Sequence, residues 1–378
     1  MNINHPKLFQ FMCKNGYIDD AKKLYELNPT IDISANDEDA FRYSCKNGHL
    51  EVAKWLYEIK PTIDISVYYE EAFRYSCKNG HLEVAKWLYQ INPTIDISVY
   101  YEEAFRYSCQ SGYLDVAKWL YQIKSTINIS EDVFMYSCHN GHLEVAKWLY
   151  EINPTIDISA ENEIMFRLSC KNGHLDIVKW LYEINPTIDI SADNEYAFIF
   201  SCRNGHSDVA KWLYQIKSTI NISEDVFMYS CCMGHLDVVK WLYEIKPTID
   251  ISAENEIVFR LSCKNGHLDV AKWLYQIKPT FDIKNITNIT NQAIIQWLIT
   301  VNHNITYKII DGKYILYKRI NTIKRENIVF TDNCCVCLEE ADCLTECNHQ
   351  MCLDCVDRLG KHICPLCREN FEFCYVNK

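Results

Sequence analysis

With 378 residues, 38 Lys plus Arg against 50 Asp plus Glu and a formal charge of −12, the chain speaks against a phosphate-binding surface spread over the whole molecule, and so against nucleic acid as a general partner. The length leaves room for two or more domains. The start, Met1-Asn2-Ile3-Asn4-His5-Pro6-Lys7, lacks the basic and apolar segments of a secretory signal, and no apolar run approaches the ~18 residues that span a bilayer; a soluble, intracellular, cytoplasmic protein with no membrane partner is expected.

Of 20 cysteines, ten lie before residue 264, nine of them at a regular interval, and ten crowd between Cys334 and Cys374. Without a secretory signal, reduced thiols or metal ligands are expected in place of disulfides. The regular set belongs to an internal repeat. Phe41-Arg42-Tyr43-Ser44-Cys45-Lys46-Asn47-Gly48-His49-Leu50-Glu51-Val52-Ala53-Lys54-Trp55-Leu56-Tyr57 recurs with few changes along the chain. Gly16, Gly48, Gly80, Gly112, Gly141, Gly173, Gly205, Gly234 and Gly266 mark nine repeats at intervals of 32 residues, with two intervals of 29. Both short intervals carry Ser-Thr-Ile-Asn-Ile-Ser, from Ser125 and Ser218, where most others carry Pro-Thr-Ile-Asp-Ile-Ser. A 93-residue block from about Tyr113 to Gly205 reappears from His206 onward, as if three repeats were copied together.

Within one repeat, Val52, Trp55, Leu56 and Ile59 fall on one helical stripe and Glu51, Lys54 and Glu58 on the other side, which predicts an amphipathic helix. A shorter helix is expected around Ala40 to Lys46, with Asn47-Gly48 suited to the left-handed stop between the two. Pro61, like Pro29, Pro93, Pro154, Pro186, Pro247 and Pro279, then stops the second helix. Helices this short are marginal in water, so each pair must bury its stripe on the next, giving a solenoid on the order of 80 Å long.

The segment Asn47-Gly48-His49-Leu50-Glu51-Val52-Ala53-Lys54-Trp55-Leu56 resembles the second-helix signature of ankyrin repeats, and the resemblance covers about three quarters of the chain. It implies a mainly α, helix-turn-helix solenoid over residues 1–283 that binds proteins. The first helix departs from the family: Glu-Ala-Phe-Arg stands where Thr-Pro-Leu-His is usual, and the Asp-Gly tip of the family's β-hairpin is missing. Repeats of this type, rich in Asn, Ile, Lys and Tyr, look like the ankyrin proteins of giant DNA viruses.

Cys13, Cys45, Cys77, Cys109, Cys138, Cys170, Cys202, Cys231 and Cys263 are expected to act as small buried hydrophobes. His49, His81, His142, His174, His206, His235 and His267 follow the turn glycine, where Tyr17 and Tyr113 also stand; tyrosine is a poor substitute for a metal ligand, so turn packing is the expected role. The tryptophans from Trp55 to Trp273 are expected in the core. Partner binding should use what varies: Val67-Tyr68-Tyr69-Glu70-Glu71, Val99-Tyr100-Tyr101-Glu102-Glu103 and Ala160-Glu161-Asn162-Glu163. Exposed tyrosines there would serve as interface anchors, or pack on the next loop.

Residues 284–330 read as a junction. Ala293-Ile294-Ile295-Gln296-Trp297-Leu298 resembles a degenerate second helix that caps the array. Tyr307–Ile310 and Lys313–Tyr317, joined by Asp311-Gly312, read as a β-hairpin. Lys318, Arg319, Lys324 and Arg325 read as a local basic patch or, in preference, a solvated linker.

Residues 331–378 carry Cys334-x2-Cys337-x9-Cys347-x-His349-x2-Cys352-x2-Cys355-x8-Cys364-x2-Cys367. Tetrahedral Zn²⁺ takes four sulfur or nitrogen ligands, and a two-residue spacer lets both thiolates of a pair reach one ion, so these eight imply two closed zinc sites. So short a segment has too little apolar content to fold unstapled. Cys335, Cys343 and Cys374 stay unassigned.

This spacing resembles the C3HC4 RING finger at every ligand. The resemblance implies a cross-brace, with Cys334, Cys337, Cys352 and Cys355 on one ion and Cys347, His349, Cys364 and Cys367 on the other; spacing alone also permits sequential sites. It further implies an E3 ubiquitin-protein ligase that binds a ubiquitin-charged E2 through Val336, Leu359 and Pro365, with Arg368 bridging E2 and ubiquitin, while the repeats recruit a protein substrate. A non-enzymatic scaffold whose RING serves assembly is the alternative.

Overall fold

The computed structural model describes residues 5–281, 283, 286 and 289–301 and, beyond these, the backbone of six strands between residues 305 and 377. Two compact bodies are formed, one of Met1–Ser201 with Asp208–Ile220, the other of Cys202–Ser207 with Asn221–Lys378. Both contain repeats, as is natural for a chain in which each repeat touches only its neighbours.

The first body holds helix pairs α1 (His5–Lys14) and α2 (Ile18–Leu27), α3 (Ala35–Lys46) and α4 (Leu50–Ile59), α5 (Val67–Lys78) and α6 (Leu82–Ile91), and α7 (Val99–Gln110) and α8 (Leu114–Ile123). It continues with α9 (Glu131–His139) and α10 (Leu143–Ile152), α11 (Ala160–Lys171) and α12 (Leu175–Ile184), and α13 (Ala192–Arg203) and α14 (Ser207–Ile216), whose adjoining ends belong to the other body. The second body holds α15 (Glu224–Met233) with α16 (Leu236–Ile245), α17 (Ala253–Lys264) with α18 (Leu268–Ile277), and α19 (Gln292–Val301). Strands β1 (Ile305–Ile310), β2 (Lys313–Lys318), β3 (Asn321–Arg325), β4 (Cys343–Thr345), β5 (Gln350–Met351) and β6 (Phe373–Asn377) complete it.

The helix, turn, helix, loop repeat expected from the glycine register is what forms. The second helices bury Val52, Ala53 and Leu56 and their counterparts, and full burial of such side chains is worth about 1.5–3 kcal/mol each. The expected stripe needs one correction: Ile59 is 37% exposed, because it closes the last turn, where the chain leaves the neighbouring pair. Lys60 then turns extended at φ −142° and ψ 80° before Pro61, as a residue preceding proline prefers. Proline is not required, since Lys124 ends α8 with φ −146° and ψ 83° before Ser125.

Within each body, successive repeats are joined by the same residues. The ring of Trp55 stands 6.0 Å from Phe9 and 6.1 Å from Tyr25 of the preceding pair, and Trp87 repeats this on Phe41 and Tyr57. The tryptophans are thus half-buried seams between repeats. Ser44 donates to Ala40 C=O at 2.6 Å and to Cys13 C=O of the preceding repeat at 3.2 Å, and Asn47 Nδ2 donates to Lys14 C=O at 2.7 Å. Two carbonyls that the first helix leaves without an intrahelical partner are capped by the next repeat.

Gly48 sits at φ +80°, and a Cβ there would lie 2.5 Å from His81 Nδ1. His49, His81, His142, His174, His235 and His267 thus pack on the previous repeat's glycine, and Tyr113 does the same on Gly80. Each of the nine regular cysteines is buried with 0% exposure. Burial pushes the Cys13 and Cys263 thiols up to about 12, and those between them higher.

At the far end, α19 buries Ile294, Ile295 and Leu298, and Trp297 stands 5.6 Å from Tyr275, as Trp273 does from Tyr243. It is the capping second helix that the sequence indicated. β1 and β2 pair antiparallel with Ile310 opposite Lys313, the register of the expected two-residue hairpin; Asp311 and Gly312 themselves lie outside the described residues. β3, β6, β4 and β5 form a four-stranded sheet in that order, parallel between β3 and β6 and otherwise antiparallel; this corrects the expected linker, since Lys318 closes β2, and Lys324 and Arg325 pair with β6 as part of β3.

Candidate functional site

The repeated side chains are consumed by stacking, so whatever a partner could recognise lies where one repeat hands over to the next. Long and short repeats differ there. After Ser34, the residues Asn36, Asp37 and Glu38 adopt φ of 55°, 55° and 64°, one turn of left-handed backbone. The same turn occurs at Glu161, Asn162 and Glu163, at Asp193, Asn194 and Glu195, and at Tyr68 with Glu70, Tyr100 with Glu102, and Glu254 with Glu256. In the 29-residue repeats Ser130 and Ser223 are extended, with ψ of 161° and 160°, and α9 and α15 begin at the next residue. The three missing residues are the left-handed turn.

Left-handed helical backbone costs an L-residue about 1–2 kcal/mol. Asn and Asp, which tolerate it best, occupy several of the positions; a tyrosine there is an outlier that surrounding contacts must hold. Those contacts come from an arginine on the first helix of the preceding repeat. Arg42 Nη1 bonds Glu71 Oε2 of the next repeat, and its guanidinium lies 4.7 Å from the Tyr68 ring. The Tyr68 hydroxyl donates back to Asp37 Oδ2 at 2.6 Å.

Arg74 is covered in the same way by Glu103 and by Tyr100, whose ring centre lies 4.7 Å away. Arg167 is covered by Asp193 and by the Tyr196 ring at 5.1 Å. Each cover is an aromatic ring and a carboxylate three residues apart. A charge-assisted hydrogen bond contributes about 1.5–3 kcal/mol and an exposed cation–π contact about 0.5–1 kcal/mol, enough to offset one or two left-handed residues.

A second set of contacts braces the turn from below. Lys60 and Lys124 bond the hydroxyls of Ser34 and Ser98, and Lys278 reaches Ser252 Oγ and Glu256 Oε1, each at 2.7 Å. Where Asn92 replaces the lysine, Glu70 has its carboxyl raised above the ordinary range, by burial first and then by Asp96. The Tyr68 phenol is raised by its hydrogen bond to Asp37 and then by that carboxylate's charge. Tyr68 and Tyr100 still expose 52% and 53% of their surface, so these tyrosines both pack on the adjoining repeat and face solvent.

This edge offers shape, charge and aromatic surface for binding. The regular cysteines are protonated and enclosed, which removes them as nucleophiles. The arginine covers were not legible from composition; the signal was the three-residue difference between intervals, read together with the Arg that follows Phe in Arg42, Arg74, Arg106 and Arg167. The expected zinc ligands Cys334, Cys337, Cys347, His349, Cys352, Cys355, Cys364 and Cys367, and the expected E2 face of Val336, Leu359, Pro365 and Arg368, lie outside the described residues.

Residues 9–100, 105–194, 134–225, 166–255 and 198–287 match the family profile described as Ankyrin repeats (3 copies). No curated protein sequence matches the chain. Among solved structures, the human ASB11 ankyrin repeat domain is similar, at 15% identity and a TM-score of 0.40, over 53% of this chain and 96% of that one.

Proposed function

The chain belongs to the ankyrin-repeat family, and on that premise we propose that its repeats hold a protein substrate while a C-terminal RING brings a ubiquitin-charged E2 to it. The observation that carries the binding half is the exposed turn edge, where Tyr68 and Tyr100 face solvent and the repeated residues are used up by stacking. The ligase half rests on the order of eight soft donors from Cys334 to Cys367, a donor set that fits two tetrahedral Zn²⁺ ions. Zinc would supply the fold of that segment and no covalent step. Val336, Leu359 and Pro365 would dock the E2, and the Arg368 guanidinium, which donates to two acceptors at once, would hold E2 and ubiquitin in a reactive pose. The likeness to repeats of giant DNA viruses points to the host cytoplasm as the place of action. No helix among the described residues is long and apolar enough to cross a membrane.

The test is discharge of ubiquitin-charged E2 enzymes by the full chain. Faster discharge, lost in Arg368→Ala and after zinc chelation, is expected. If no E2 is discharged faster and Arg368→Ala changes nothing, the RING serves assembly and the protein is a scaffold.

A further inference from the structure

The first short repeat leaves an arginine bare. Arg106 occupies the position of Arg42, Arg74 and Arg167 on its helix, but the repeat that follows lacks the three-residue turn that would supply the ring and carboxylate. Its Nε is buried with no hydrogen-bond partner, as is that of Arg167, but whereas Arg167 pairs with Asp193, no carboxylate among the described residues pairs with Arg106. Asp132, at the position Glu71 holds over Arg42, is exposed. In place of the turn there is a groove of about 700 Å³ lined by Ser98, Tyr100, Glu102, Arg106, Asn128 and Ser130. A second hollow of about 320 Å³ also borders Arg106 and Tyr100. Before the other short repeat the same position is Ile199, so the loss of the turn there bares no cation.

We infer that the groove at Arg106 is a docking site for an acidic segment of a partner protein that carries an aromatic residue and a carboxylate three residues apart. This deepens the reading of the repeats as a protein-binding array and rests on it. The occupant's chemistry is written in the chain itself. Tyr68 with Glu71, Tyr100 with Glu103, and Asp193 with Tyr196 cover the equivalent arginines from the following repeat, and a partner would complete in trans what the short repeat omits. The charges around the groove fit such a ligand better than a polyphosphate. Glu103 is neutralised by Arg74 and Lys124 is held on Ser98, while Glu102 and Asp132 on either side would repel a highly charged strand.

The probe is a blocked, fluorescent peptide of sequence Ser-Val-Tyr-Tyr-Glu-Glu-Ala, copied from the turn that covers Arg74, titrated by anisotropy into the full chain. Arg106→Ala is expected to weaken binding about tenfold or more, as loss of a charge-assisted hydrogen bond requires. Inserting Val-Tyr-Tyr between Ser130 and Glu131 restores the cover and is expected to abolish binding with Arg106 in place. Because the chain accepts this turn in its other repeats, the inserted variant keeps the fold, checked by its circular dichroism. Replacing both glutamates of the peptide by glutamine is expected to abolish binding too.

Equal affinity for the parent and both variants overturns the inference, as does no binding to the parent. Binding that appears only in Asp132→Ala also overturns it, since the chain then covers its own arginine. Peptide binding does not depend on zinc or an E2, so failure of ubiquitin transfer with binding intact would sink the ligase proposal alone.

Discussion

Replacing Gly48 by alanine should destabilise the array by two separable amounts. The backbone at φ +80° is left-handed, which costs a residue with a Cβ about 1–2 kcal/mol. The new methyl would also lie 2.5 Å from His81 Nδ1 of the next repeat, an overlap in the range where overpacking costs about 1–3 kcal/mol. Gly48→Ala is therefore expected to lose about 2–5 kcal/mol. His81→Ala alone gives up the packing of its ring on Gly48, about 1 kcal/mol or more. In the double variant the overlap disappears, so its loss should fall short of the sum of the single losses by about 1–3 kcal/mol. Native-state hydrogen exchange of the α5 and α6 amides reads these energies locally, which suits an array that need not unfold as one unit. Additivity within about 0.5 kcal/mol would refute packing of histidine on the glycine.

Ser108→Ala removes donation to Ala104 C=O at 2.6 Å and to Cys77 C=O at 3.3 Å; a loss of about 1 kcal/mol is expected in the same exchange experiment, and no loss would mean that the inter-repeat bond contributes nothing. Maleimide at pH 8 should label Cys232, which is partly exposed, but none of the nine buried regular cysteines until the protein is denatured; peptide mapping that finds Cys45 or Cys77 modified in the native state would contradict their enclosure. Burial, with a neighbouring histidine adding to it, holds His81 and His235 below their ordinary 6.5. Below that pH the unfolded chain takes up protons that the folded one resists, so stability should be level above about 6.5 and fall as the pH drops beneath it. Thermal melts at pH 7.5, 6.5 and 5.5 measure this. His81→Tyr, which copies the arrangement at Tyr113, should lessen the fall, and an unchanged slope would remove His81 from the account.

Much of the repeat was legible because its register is fixed by local chemistry. A glycine in left-handed backbone and an amphipathic stripe declare themselves in any single repeat, and the ladder of buried cysteines follows from their period. Ile59 was misplaced because a stripe does not say where the neighbouring helix ends. The cover over Arg42 was hidden for another reason: its parts, Tyr68 and Glu71, come from the following repeat, and the turn that delivers them uses backbone that propensity disfavours for tyrosine. The same tyrosines were named as candidate contacts, and they turned out to be both packed and exposed. The expected zinc ligands rest on their spacing alone, and nothing in the stacking of the helices bears on them.

The serine that caps the preceding repeat spans 31 residues from Ser108 to Cys77 and from Ser169 to Cys138, but 28 from Ser137 to Cys109 and from Ser230 to Cys202. The bond is the same at either separation, so the joint between repeats does not sense the length of the loop it bridges. Lineages of this chain can therefore lose or regain a turn, opening or closing a recognition site such as that at Arg106, without renegotiating the scaffold. Copying three repeats at once carries the loop pattern along intact, which makes duplication a route to new specificity as well as to greater length.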